Sequence, residues 1–158
     1  MQLFNDARAY LRAADTLIRD RSADINAPIY FLMSHALELI LKAYLVARGG
    51  FGDHEPRDLG HDIERAYAQA ASIGLRLEDE RSATLIRLLS DFHKSLVFRY
   101  PVITRDDGSL VVRGTLVRAS DVLAVVGGFW TQLHGTILDA RLSAAREGEY
   151  PIETWHMD

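Results

Sequence analysis

The chain has 158 residues, the length of one ordinary domain. Eighteen Lys+Arg against twenty-two Asp+Glu give a net charge of −4, and the 48% apolar and 25% charged content is that of a globule with a real core. Wholesale disorder is excluded, as is the overall basic charge of non-specific nucleic-acid binders. With no cysteine, disulfide frameworks, cysteine-based zinc sites and thiol nucleophiles are excluded too.

The N-terminus carries charges from Asp6 onward and lacks the apolar block and small-residue cleavage site of a secretory signal. From Gln2 to about Arg21, Leu3, Phe4, Ala7, Tyr10, Leu11, Ala14, Leu17 and Ile18 recur at gaps of three and four. That spacing makes one apolar stripe and predicts a first helix, with Arg8, Arg12, Asp15 and Arg19 toward solvent. Asn26 and Pro28 then form a start signal for a second helix reaching about Arg48, apolar nearly all round and closed by Gly49, Gly50 and Gly52. The stretch from Ala27 to Ala47 is interrupted by His35, Glu38 and Lys42. A charged residue at a bilayer centre costs about 2.5–3.5 kcal/mol, so a bundle-core helix is expected in place of a membrane span. A cytoplasmic protein with no membrane partner is the expectation.

A polar loop from Phe51 to Gly60 precedes a short helix over roughly His61 to Ile73, stopped by Gly74, and a fourth from Glu78 to about Phe98, limited by Pro101. Val102-Ile103-Thr104 and Leu110-Val111-Val112 flank Asp107-Gly108, which predicts a small β-hairpin lying against the bundle. Ser120 is the expected cap of a last helix, Asp121 to about Arg146. Gly127-Gly128 in its middle costs about 1 kcal/mol per glycine against alanine, which close approach of a helix or a partner would explain. No repeat or linker interrupts the chain. The fold class is therefore all-α, with about five helices and a hairpin between the last two, as one domain over 1–146 with an irregular tail over 147–158.

On the second helix, Glu38 lies roughly 60° to one side of His35, and Lys42 returns to within about 20° of it. Glu38 and Lys42 also have the favourable i, i+4 spacing with the acid N-terminal. One reading is a structural network, an ion pair plus a hydrogen-bonded histidine that specifies packing. The other has the stripe facing a cleft or a dimer partner and binding a phosphate or a base.

The segment Phe31-Leu-Met-Ser-His-Ala-Leu-Glu-Leu-Ile-Leu-Lys-Ala-Tyr-Leu45 resembles the second helix of the HEPN superfamily, the higher eukaryotes and prokaryotes nucleotide-binding domains. Gly60-His61-Asp62-Ile63, Ile73-Gly74-Leu75 and Arg99-Tyr100-Pro101 agree with it in order and spacing. The resemblance implies an up-and-down helical bundle that forms a homodimer, related to toxin–antitoxin and anti-phage proteins. It also implies a nucleotide- or RNA-binding module, or else a metal-independent endoribonuclease, with an antitoxin or a nucleotidyltransferase as the partner. The family's catalytic arginine and histidine match Arg87 and His93, with five residues between. His93 would move protons at the ribose 2′-hydroxyl while Arg87 stabilised phosphate charge. Leu88 stands where the family's nucleases place a polar residue, and positions six apart diverge by about 120° on one helix. Both departures favour the binding module, with His35, Glu38, Lys42 and Arg99 as its ligand-binding residues. Without that role, Arg87 is a solvated side chain, His93 a surface or interface histidine, and Arg99 a cation complementing a helix C-terminus. With Arg105, Arg113 and Arg118, Arg99 instead adds to a positive patch opposed by Asp106 and Asp107.

Phosphate-binding loops, nucleophile elbows and zinc-binding His-Glu-x-x-His helices are absent, and the six histidines show no closely spaced ligand pair. No cofactor and no metal are expected.

Overall fold

A computed structural model of the chain describes residues 2–20, 26–49, 56–76, 80–94, 103–104, 110–111 and 118–147. Among the described residues five α-helices dominate: α1 (Gln2–Arg19), α2 (Asn26–Ala47), α3 (Ile63–Ser72), α4 (Glu80–Lys94) and α5 (Ala119–Arg146), with a 3₁₀ turn over Pro56–Leu59. The fold is an all-α bundle, and α2 is its axis. It packs against each of the other four helices, while α1 also meets α5 and α3 meets α4.

That centrality follows from composition. Residues 36–45 of α2 are all buried, Met33, Leu37, Ile40, Leu41 and Leu45 among the largest fully buried side chains. A helix apolar on every side has no solvent face to offer and must be surrounded. Ala27–Ala47 is long and apolar enough to cross a membrane by length and composition, and 78% of that window is buried inside the bundle. The amphipathic α1 contributes Phe4, Ala7 and Ala14 to the core, and α5 contributes Val122, Val126, Phe129, Leu133 and Ile137. Where α1 meets α5, Phe4 stacks on Trp130 with centroids 5.2 Å apart, and the Arg8 guanidinium lies 5.6 Å over the same indole.

The ends are set by local chemistry. Gly49, at φ +66°, takes the left-handed conformation that closes α2. Asp62 caps α3, its Oδ1 accepting from Arg65 N–H at 2.9 Å, and at the far end Leu75 N–H returns to the Ala70 carbonyl at 3.0 Å. The predicted boundary at His61 therefore moves to Ile63, because the aspartate caps the helix from outside it. Likewise Ser120 is not the cap of α5. It lies inside the helix, and Arg118 holds the cap position with no side-chain hydrogen bond capping the helix's backbone, its Nε lying instead 3.5 Å from Asp121 Oδ2.

Of the expected hairpin, the structure describes two dipeptides, β1 (Ile103–Thr104) and β2 (Leu110–Val111), paired antiparallel with Ile103 opposite Val111. The Asp107-Gly108 turn lies outside the described residues, as does the tail from 148, so the hairpin itself is not shown. Gly127 and Gly128 are not explained by a close neighbour in the protomer, since a Cβ built on either meets nothing within 4 Å.

Candidate functional site: a carboxylate ringed by histidines

The polar stripe of α2 is the start of a larger centre. Glu38 is 2% exposed and Lys42 is buried beside it, with Lys42 Nζ donating to Glu38 Oε1 at 2.7 Å. The i, i+4 spacing read from the sequence thus makes a buried ion pair. Lys42 Nζ also donates to the Gly60 carbonyl at 2.7 Å. Gly60 has φ +57°, a conformation unfavourable for any residue with a Cβ, and it aims this carbonyl inward at the point where the chain turns from the 3₁₀ segment toward α3. Leu59, buried next to it, anchors the turn to the core.

The second carboxylate oxygen faces imidazoles from three elements. His93 Nε2, on α4, lies 3.1 Å from Glu38 Oε2, and His61 Nδ1, just before α3, lies 3.1 Å from the same oxygen. His35 Nδ1, one turn back on α2, is 3.5 Å from it. The three rings pack on one another and on two aromatic side chains. Tyr10 meets His35 edge-on at 4.7 Å, Phe31 stacks on His35 at 6.1 Å and on His93 at 6.0 Å, and His61 stands edge-on to His93 at 5.6 Å.

Burial by itself would push the Glu38 carboxyl up. The hydrogen bonds from His35, His93, Lys42 and His61 outweigh it and hold the group far below the usual carboxylate range. Asp62, beside His61, is also held down: its partial burial is outweighed by Lys94, whose Nζ lies 2.8 Å from Oδ1, and by the Arg65 amide. His93 Nδ1 is buried and has no hydrogen-bond partner among the described residues. The centre reaches solvent on one side, through the His61 side chain at 66% exposure and His35 at 23%.

The residues singled out from sequence separate into groups. His35, Glu38 and Lys42 are together, as the helical stripe requires. His93 joins them and does not join Arg87, which is exposed on α4. Arg99, and with it the Arg105 and Arg113 part of the expected patch, lies outside the described residues. In the sequence His61 stands out only as part of the Gly60-His61-Asp62-Ile63 segment, with no site signal of its own. Its glycine neighbour and the capping aspartate after it were the available signal for a constrained turn. Spacing showed no histidine ligand pair, yet folding gathers three histidines around one carboxylate. No protein-family model, no curated protein and no solved structure matches the chain.

Proposed function

We propose that the protein is a HEPN-like nucleotide- or RNA-binding module, acting as a homodimer in a toxin–antitoxin or defence setting, with its ligand at the open side of the Glu38 centre. The observation that carries this reading is the pairing of a half-exposed aromatic edge with polar imidazoles: Tyr10 and Phe31 flank His35, and the exposed His61 stands over the same carboxylate. A base can stack on such a surface while imidazole N–H groups and Lys94, near the rim on Asp62, face phosphate or ribose oxygens. The ion pair below it supplies rigidity. Its charges neutralise one another, so attraction to the ligand comes from the rim.

Fluorescence anisotropy with a labelled single-stranded RNA, competed by mononucleotides, tests this. Stacking on an aromatic side chain contributes about 1–3 kcal/mol per base, so Tyr10→Ala is expected to weaken binding roughly 5- to 150-fold, and His61→Ala to weaken it too. No binding by the wild-type protein, or equal binding by Tyr10→Ala and His61→Ala, overturns the reading. The endoribonuclease reading through Arg87 and His93 replaces it if RNA is cleaved in the presence of EDTA and cleavage is lost in both Arg87→Ala and His93→Ala.

A further inference from the structure

We propose that the Glu38 centre is a binding site for a single divalent transition-metal ion of the zinc class, held by Glu38 Oε2, His93 Nε2 and His35 Nδ1, with His61 Nδ1 or a water completing the coordination. The inference does not depend on the nucleotide- or RNA-binding reading.

The first argument is a count of lone pairs. A carboxylate offers about four acceptor sites, two per oxygen. Lys42 occupies the Oε1 side, and three imidazole nitrogens converge on Oε2 at 3.1, 3.1 and 3.5 Å. As a hydrogen-bond network, every one of those nitrogens must carry a proton and one oxygen must accept three donors. A cation at the focus removes the conflict: neutral imidazoles then present lone pairs, and the carboxylate oxygen does the same.

Distance agrees with chemistry. Bonds of about 2.0–2.2 Å from zinc to nitrogen and oxygen put neighbouring tetrahedral ligand atoms roughly 3.3–3.6 Å apart. At Glu38 Oε2 the His35 separation of 3.5 Å lies in that range and the His93 separation of 3.1 Å falls a few tenths of an ångström short of it, and the ligand atoms of His35, Glu38 and His93 all lie within 4.8 Å of one another. Small side-chain rotations close the set. Imidazole and carboxylate donors without thiolate suit Zn²⁺ and the neighbouring first-row ions.

The surroundings match what a metal ligand needs. Ligating carboxylates are oriented by a second group, and here Lys42, itself fixed by the Gly60 carbonyl, pins Oε1 and leaves Oε2 alone to face the histidines. His35 and Glu38 stand one turn apart on the most buried helix of the bundle, and His93 is brought from α4, so the set is rigid. The exposed side of His61 and the half-exposed His35 leave a path from solvent.

The test uses the full chain, stripped with chelator and dialysed, and titrated calorimetrically with Zn²⁺ alone. Saturation at one ion per chain is expected, with affinity reduced at least roughly tenfold in His35→Ala and in His93→Ala. His134→Ala, whose ring packs on Phe4 and Trp130 away from this centre, is expected to bind as wild type. Co²⁺ loading is expected to give the intense visible bands of a four- or five-coordinate ion. Because His93 is buried, circular dichroism accompanies each variant, and should His93→Ala not fold, the half-exposed His35→Ala and the Co²⁺ spectrum decide. Absence of Zn²⁺ binding, binding unchanged in His35→Ala, or a Co²⁺ spectrum identical to that of the aqueous ion overturns the proposal.

Discussion

His93 Nε2 lies 3.1 Å from Glu38 Oε2, a bond between residues 55 apart in sequence that ties the end of α4 to the middle of α2. Around that bond the protein concentrates its buried polarity. Glu38, Lys42 and His93 are all buried, and each has a partner inside the same group. The expense of burying them is offset only while the set is whole, which makes the centre sensitive to single substitutions.

Glu38→Ala is the most damaging of these. It leaves the Lys42 ammonium buried with only the Gly60 carbonyl, and breaking a buried pair from one side costs about 3–5 kcal/mol. Urea unfolding is expected to show a loss of that size, a large share of the stability of a domain this small. The double variant Glu38→Gln/Lys42→Met removes both charges together and is expected to recover part of the loss. A double-mutant cycle on the pair reads the coupling.

Stability should fall in acid with a definite sign. Unfolded, Glu38 titrates near 4.5; folded, its histidine and lysine partners hold it lower. As pH drops, the unfolded chain takes up this proton first, so the contribution is complete above the unfolded value and is lost as pH falls toward the folded one. Urea midpoints measured between about pH 6 and pH 3 are expected to decline for the wild type. Glu38→Gln is expected to lack that part of the slope while starting from a lower plateau.

Asp62 holds the turn that carries His61. Asp62→Ala removes the bond to the Arg65 amide and the partner of Lys94, and is expected to cost about 1 kcal/mol by thermal or urea unfolding. Asp62→Asn keeps a capping oxygen and is expected to retain most of the stability.

Gly127 and Gly128 sit in open space on α5. Alanine at either position gains helix propensity of about 1 kcal/mol without meeting a neighbour in the protomer. Each substitution is expected to raise the melting temperature by about 2–4 °C for a chain of this size.

Leu138 and Leu142 are large apolar side chains exposed on the last turns of α5. If the proposed homodimer uses this face, Leu138→Glu and Leu142→Glu shift sedimentation velocity from dimer to monomer with unchanged far-ultraviolet circular dichroism. A wild-type protein that sediments as a monomer at all concentrations removes the dimer from the reading.

Much of the fold was legible because its signals are local. The gaps of three and four in α1 place Phe4, Ala7 and Ala14 in the core, and the Gly49 and Gly74 stops lie just past the ends of α2 and α3. Ser120 has the residue type of a cap, but α5 starts at Ala119, two residues earlier than a serine cap at that position allows. His93 was paired with Arg87 through a motif spacing, but roughly 120° of helix rotation sends the arginine to solvent and the histidine inward.

Residue order alone made α2 an interior helix, because no face of it can be left to water, and it put Glu38 one turn before Lys42, because the helical repeat brings residues four apart together. Which histidines complete that pair was decided only when α3 and α4 packed against α2. Periodicity describes neighbours within one element, whereas the meeting of His61 and His93 with Glu38 depends on how separate helices dock, which is set by shape and burial across the whole bundle.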